Sequence, residues 1–350
     1  MNFRVLYIIP LLAFAIAGCH KEEQHTDAPA TNGVYITSEG NFNFGNAEVS
    51  FYNPAVQTVS NNLFSGVNGY ALGDVAQSMY IKDSLGFIVV NNSQKVEVVK
   101  IPSLQHVRTI VIANASPRYF LPVNDSIAYV TELYAGKIHV INYQTGVLVK
   151  DITGVSAWTE HMLFAGGIVV VEERSLSSNA SHQASIITLN PVTNSFVQRY
   201  SFAGSNLNGI VKDNQGRLWL AIEVDSAHAV PASLCCLKND FSVNKKIDFA
   251  TGHHPSNLCI NGNGTMLYFF DDGISRLSVN DSVAPSAFFV AQNNRNFYGL
   301  GIDPVSGDVY VSDALDYVQK SQIYRYHPDG DLVQSFAAGI ISGNFAFNEQ

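Results

Sequence analysis

The sequence predicts an all-β fold, a seven-bladed β-propeller with four antiparallel strands per blade. Three observations predict it. A strand–turn–strand phrase recurs about every 40–50 residues, the period of propeller blades. No stretch beyond residue 33 keeps helical periodicity for three turns. The final segment alternates like a strand although the last repeat is already complete.

The elements follow in chain order. "MNFRVLYIIPLLAFAIAGC" carries one basic residue, Arg4, then an apolar run, then small residues before Cys19. This is the layout of a secretory signal, too short and too poorly flanked for a lasting membrane span. "QHTDAPATNG" (24–33) is polar with Pro and Gly and reads as a flexible tether. The expected division is therefore a signal peptide over 1–18, a tether over 19–32 and a single propeller domain over 33–350.

The first repeat begins at "GVYITSEGNFNFGNAEVSFYN" (33–53) and has no strand ahead of it. Each later repeat does: "AQSMYIK" (76–82), "PRYFLPV" (117–123), "WTEHMLF" (158–164), "LNGIVKD" (207–213), "PSNLCIN" (255–261) and "FYGLGID" (297–303). These are the expected inner strands. Two strands rich in Val, Ile, Tyr and Phe follow each of them, as in "SLGFIVVNNSQKVEVVKI" (84–101). A fourth closes the unit, as in "VRTIVI" (107–112) or "LVQSFA" (332–337). "GNFAFN" (343–348) is then expected to return as the missing inner strand of the first blade, leaving no terminal blade with an open edge. A β-sandwich, the competing all-β answer, predicts no single period over so long a chain.

Composition bounds the function. The 350-residue chain has 20 Lys+Arg against 29 Asp+Glu, a formal charge of −9, and shows no basic cluster. That argues against nucleic acid and against binding to anionic lipid. With 47% hydrophobic and 14% charged residues it is far from disordered composition. Cys235, Cys236 and Cys259 do not make a disulfide framework and are expected as small buried apolar groups.

In this architecture the loops entering the inner strands and those between second and third strands share one face around the central channel. The first set offers Arg118, Trp158, Glu160, His254 and Tyr298 as ligand-binding candidates, with Gln77 and Asn208 beside them. The second set offers Phe42, Glu132, Tyr134, Glu173, Glu223 and Tyr317, with Glu39 nearby. The opposite face carries tight turns such as "NGNG" (261–264), so the aromatic-bearing face is the expected binding face. Glu132, Glu173 and Glu223 follow comparable strands in successive blades and are expected to line the channel as a ring. Solvated loops would place the same residues there, and Trp158 serves equally as a cap between blades. His253-His254 reads as loop, since adjacent histidines on an extended segment diverge.

Several phrases carry family resemblances. Ile16-Ala17-Gly18-Cys19 resembles a lipobox, which implies cleavage before Cys19 and a lipid on its sulfur. Lys21-Glu22-Glu23 resembles the export signal of Bacteroidota lipoproteins that reach the outer face of the outer membrane. "NGVYITSEGNFNFGNAEVSFYNP", "KIHVINYQTGVLVKDI" and "GLGIDPVSGDVYVSDA" look like the YncE-like, surface-layer-type seven-bladed propellers of those lipoproteins. Within that group the resemblance implies capture of a cobamide (vitamin B12), or next a glycan, for a TonB-dependent outer-membrane transporter. It implies no catalysis, no cofactor and contact with the membrane only through the lipid. The alternative is a surface adhesion or protein-interaction scaffold. A third reading is a metal-dependent lactonase or lyase, for which Glu39, Asn208 and Asp313 are the available ligands. Ser84, Ser126, Ser226 and Ser282 each follow an Asp and resemble Bacteroidota O-glycosylation acceptors, although Asp-Ser also belongs to ordinary turns.

Overall fold

The computed structural model describes residues 32–175 and 183–349. Cys19 and the signal and tether segments lie outside them. The described residues form seven sheets of four antiparallel strands each, a seven-bladed propeller. The first blade is closed by the last strand: Ser342–Glu349 pairs with Asn32–Ser38, which pairs with Glu48–Asn53 and then Thr58–Ser60. The expected return of residues 343–348 is therefore observed, and Ser342–Glu349 lies between the inner strands of the second and seventh blades.

The other inner strands are Ala76–Lys82, Pro117–Pro122, Trp158–Ala165, Leu207–Lys212, Ser256–Ile260 and Phe297–Ile302. Their second and third strands read as continuous apolar runs because both faces are covered. In Leu85–Val90, for example, Phe87 and Val89 pack toward the third blade while Ile88 and Val90 pack toward the first. Each pair of neighbouring blades shares one such core among the described residues, giving seven cores around the ring. A core at the junction of blades 7 and 1 (Tyr52, Tyr310, Phe336, Phe345) shows that closure is by packing as well as by hydrogen bonds.

Two features depart from the regular repeat. A single helical turn and a half, Leu63–Asn68, follows the outer strand of blade 1 and buries Leu63 and Phe64 against Leu104. The fourth strand of blade 6 shrinks to Val290–Ala291. Cys235 and Cys236 are free and buried on opposite faces of Ser233–Leu237, as strand alternation requires.

Candidate functional site

Every inner strand carries one extra residue at its channel-mouth end. Between Pro117 and Phe120 the inner strand spends three steps where its partner spends two, from Glu132 to Val130. The same count holds at Thr159–Met162, Leu207–Ile210, Ser256–Cys259 and Phe297–Leu300. Blade 2 inserts Gln77 and blade 1 inserts Gly343. A β-bulge bends its strand and re-aims side chains. Seven bulges at one height turn Gln77, Arg118, Glu160, Asn208, Asn257 and Tyr298 toward the axis.

The bulges leave backbone groups without ladder partners, and side chains supply the replacements. Thr131 Oγ1 accepts from Tyr119 N at 2.9 Å, Glu172 Oε1 from Gly209 N at 3.3 Å, and Ser312 Oγ from Gly299 N at 2.8 Å. Asn208 Oδ1 accepts from Asn257 N at 3.2 Å across the blade boundary. Two bulge positions require glycine. Gly209 has φ +122°, and a Cβ on it would meet Leu258 backbone nitrogen at 2.8 Å; a Cβ on Gly299 would lie 2.6 Å from Gly343 O.

These residues enclose a cavity of about 280 Å³ lined from all seven blades. Arg118 spans it. Its Nε and Nη2 donate to Glu160 Oε1 at 2.9 and 2.7 Å, and Nη1 donates to Gln77 Oε1. Trp158 Nε1 also donates to Glu160 Oε1, and the Arg174 guanidinium lies over the Trp158 ring at 4.4 Å. Arg174 Nη2 and Asn208 Nδ2 then share Glu223 Oε1, at 2.8 and 3.0 Å. Opposite, the Tyr298 hydroxyl donates to Glu39 Oε1 at 2.8 Å. His161 stacks against Tyr119 at 4.2 Å and its Nδ1 meets buried Glu172 Oε2 at 2.9 Å.

The charges are strongly coupled. Burial alone would weaken the Arg118 guanidinium, but Glu160, Tyr119 and Glu39 around it win and hold its pKa above the usual value. Burial pushes the Glu39 carboxyl up; the Tyr298 hydroxyl and Arg118 oppose this, and Glu160 adds to it. Burial would raise Glu172, yet its bond to His161 keeps it low, and half-exposed His161 rises in turn although the channel walls around it desolvate the ring. Glu160 is 3% exposed, and its Oε2 is buried without a hydrogen-bond partner.

The structure sorts the sequence candidates into three groups. Arg118, Trp158, Glu160 and Tyr298 line the cavity, together with Glu39, Gln77 and Asn208. Phe42, Tyr134, Tyr317 and His254 are exposed on their loops and are not among the residues that line it. Tyr317 reaches the cavity only through its edge contact with Tyr298, at 5.9 Å.

The third group corrects the expected ring of channel carboxylates. Glu132 is turned back into its blade, accepting from Ser116 N at 2.8 Å and Tyr134 N at 3.2 Å and facing His139 Nε2 at 3.4 Å. Glu173 accepts from Ser156 N at 2.6 Å, Ser185 Oγ at 3.0 Å and Arg199 Nε at 2.6 Å. Asp271 and Asp313 do the same for His254 N and Asn296 N. A carboxylate at the end of the second strand thus brackets the loop that enters the inner strand. Glu223 alone of the expected three reaches the channel network. Asp313, held by Asn296 N and Leu315 N, is likewise turned from Glu39 and Asn208. Among the described residues no three His, Cys, Asp or Glu side chains converge as a metal site.

Sequence reasoning did not single out Tyr119, His161, Asn257, Cys259 and Asn344, which also line the cavity. Burial pushes the Cys259 thiol up to about 12. A polar or aromatic residue stands second in most inner-strand phrases, and that position finds Asn344; Tyr119 and Asn257 stand third, His161 fourth and Cys259 fifth, places that only the bulges bring to the channel. Ser84, Ser226 and Ser282 are exposed, and Ser126 is half-buried.

A family model described as a domain of unknown function (DUF5074) matches residues 32–339, and the chain belongs to that family. No curated protein matches it. Among solved structures it is similar to a quinonprotein alcohol dehydrogenase-like protein from Bacteroides thetaiotaomicron, with a TM-score of 0.70 at 14% identity over 91% of this chain and 78% of that one. A protein from Lactobacillus plantarum aligns with a TM-score of 0.69 at 11% identity, covering 91% and 99%. A protein of unknown function from Bacteroides caccae aligns with 0.51 at 10%, covering 74% and 97%. At these identities the likeness is one of fold.

Proposed function

We propose that the protein is a non-catalytic capture protein, anchored through a lipid on Cys19 at the outer face of the outer membrane. It takes a polar nutrient at the channel mouth and passes it to a TonB-dependent transporter. The observation that carries this reading is the bulged ring: seven blades each contribute a re-aimed residue to one polar, aromatic-edged cavity, with Phe42, Tyr134 and Tyr317 exposed on their loops. The polar and aromatic character of the residues so placed, at a mouth that an apolar core could equally have filled, is what suits a ligand.

The cavity's size ranks the ligands. At about 280 Å³ it admits a single sugar ring whole. A cobamide is far larger and would lie across the rim with one amide side group inserted. A glycan therefore fits the mouth best, with a cobamide second.

Calorimetry of residues 30–350 with an oligosaccharide panel and with cyanocobalamin tests this. One-to-one binding without chemical change of the ligand is expected, and it is lost in Trp158→Ala. Binding that survives that change, or conversion of the ligand, contradicts the reading. Palmitate labelling that is unchanged in Cys19→Ala would remove the anchor.

A further inference from the structure

The channel mouth is one positive charge short. Three of its ion pairs are complete: Arg118 with Glu160 at 2.7 Å, Arg174 with Glu223 at 2.8 Å, and His161 with Glu172 at 2.9 Å. Glu39 is the remaining carboxylate on the cavity wall. Among the described residues its hydrogen-bond partner is the neutral Tyr298 hydroxyl, on Oε1. Glu160 Oε2 has no hydrogen-bond partner among the described residues but is also out of reach of the cavity, and the Glu160 charge is met by Arg118. The rings of Tyr119, Trp158 and Tyr298 line the same space.

We propose that the cavity selects a protonated amine carried on a small polar body, as in an amino-sugar residue. This rests on the reading of the mouth as the ligand site and names the chemical class it takes. The ammonium group supplies the missing charge and further donors beside Glu39, while the hydroxyls of the ring meet the Gln77, Asn208 and Asn257 amides. A neutral ligand of the same shape leaves Glu39 uncompensated.

A proton balance accompanies binding. Burial favours the protonated Glu39 carboxyl in the empty protein. A bound ammonium favours the carboxylate, so the fraction of Glu39 that is protonated in the empty protein loses its proton to the buffer as the ligand enters. The charged and titratable groups facing it are Tyr298 from blade 7, Arg118 from blade 3 and Glu160 from blade 4, with His161 and Glu172 behind. Affinity is expected to rise with pH as Glu39 ionises and to fall toward acid.

The test uses three probes of one shape: D-glucosamine, N-acetyl-D-glucosamine and D-glucose. Trp158 reports the mouth, because Trp219, the other of the two tryptophans, is fully buried. Glucosamine is expected to bind at least about tenfold more tightly than the neutral sugars, with proton release detected by calorimetry in buffers of different ionisation enthalpy. Glu39→Gln should bring the three affinities together and abolish the proton release. Glu39→Asp, which keeps the charge, should retain part of the preference and shows that the loss is not misfolding. Neutral sugars binding as well as glucosamine would overturn the charge selection while leaving the mouth as the site. Failure of all three probes would overturn it too. The mouth reading then stands or falls separately, on whether cyanocobalamin or an oligosaccharide binds and is lost in Trp158→Ala.

Discussion

Two sets of carboxylates occupy nearly the same place in the repeat and live in opposite environments. Glu132 and Glu173 end second strands, and their oxygens are taken by loop amides, a hydroxyl, an imidazole and a guanidinium. Glu39 follows the second strand of blade 1, yet it faces the channel with a single neutral donor. The first set is lowered in pKa, because hydrogen bonds and neighbouring cations outweigh burial. Glu39 is raised, because burial outweighs them. A satisfied carboxylate holds the fold together; an unsatisfied one waits for something else. That contrast, more than any residue identity, separates scaffold from site in this ring.

The largest effect that would break the comparison lies in the scaffold set. Glu173→Gln should cost about 2–4 kcal/mol, since it removes the buried partner of Arg199 and weakens the acceptors of Ser156 N and Ser185 Oγ. Urea unfolding at neutral pH reads this directly, and a loss below about 0.5 kcal/mol would deny the bracket its role. Glu132→Gln should behave alike through Ser116, Tyr134 and His139.

The next effect is acid sensitivity. Glu132, Glu172, Glu173, Asp151 and Asp213 all have depressed pKa values in the folded protein. Their contributions are fully present above the unfolded carboxylate range, roughly pH 4 to 4.5, and are lost as the pH falls below it through the folded values. The unfolding midpoint should therefore drop steeply on acidification from pH 5, and less steeply in the Glu173→Gln protein. A flat profile over that interval would contradict the assignment.

Glu39 sharpens the comparison because its sign is reversed. A carboxyl with a raised folded pKa weakens the fold as the pH climbs from its unfolded toward its folded value. Glu39→Gln should leave stability unchanged or raise it by about 0.5–1 kcal/mol at pH 7, a gain typical of residues kept for function. A clear loss of stability would place Glu39 with the scaffold. The smallest effects belong to the exposed loops. Phe42→Ala and Tyr134→Ala, 64% and 63% exposed, should move stability by less than about 0.5 kcal/mol while weakening binding of ligands larger than the cavity.

The inner strands were legible because each combines β-rich composition with a turn before it, and Ala76–Lys82 coincides with its sequence phrase. Closure was legible because residues 343–348 alternate beyond a complete repeat. Arg118, Trp158, Glu160 and Tyr298 were legible because entry to an inner strand is a fixed place in the repeat. The bulges were not: an extra residue in one strand shows only against its partner's register, and that extra residue lets Tyr119 and His161 line the channel beside their neighbours. Glu132 and Glu173 misled for a related reason. Their position in the repeat suggested the channel, but their partners His139 and Arg199 come from the third and fourth strands, and only the folded blade sets those distances.

The most direct test of the central claim measures binding and stability together. Wild type, Glu39→Gln and Glu173→Gln would be titrated calorimetrically with cyanocobalamin and with neutral and amino-sugar-containing oligosaccharides, and each would be unfolded in urea. Glu39→Gln is expected to lose at least about tenfold in affinity for the amino-sugar ligand without losing stability, whereas Glu173→Gln is expected to lose stability and keep its affinity within about twofold. Affinity lost through Glu173→Gln and untouched by Glu39→Gln would contradict that claim.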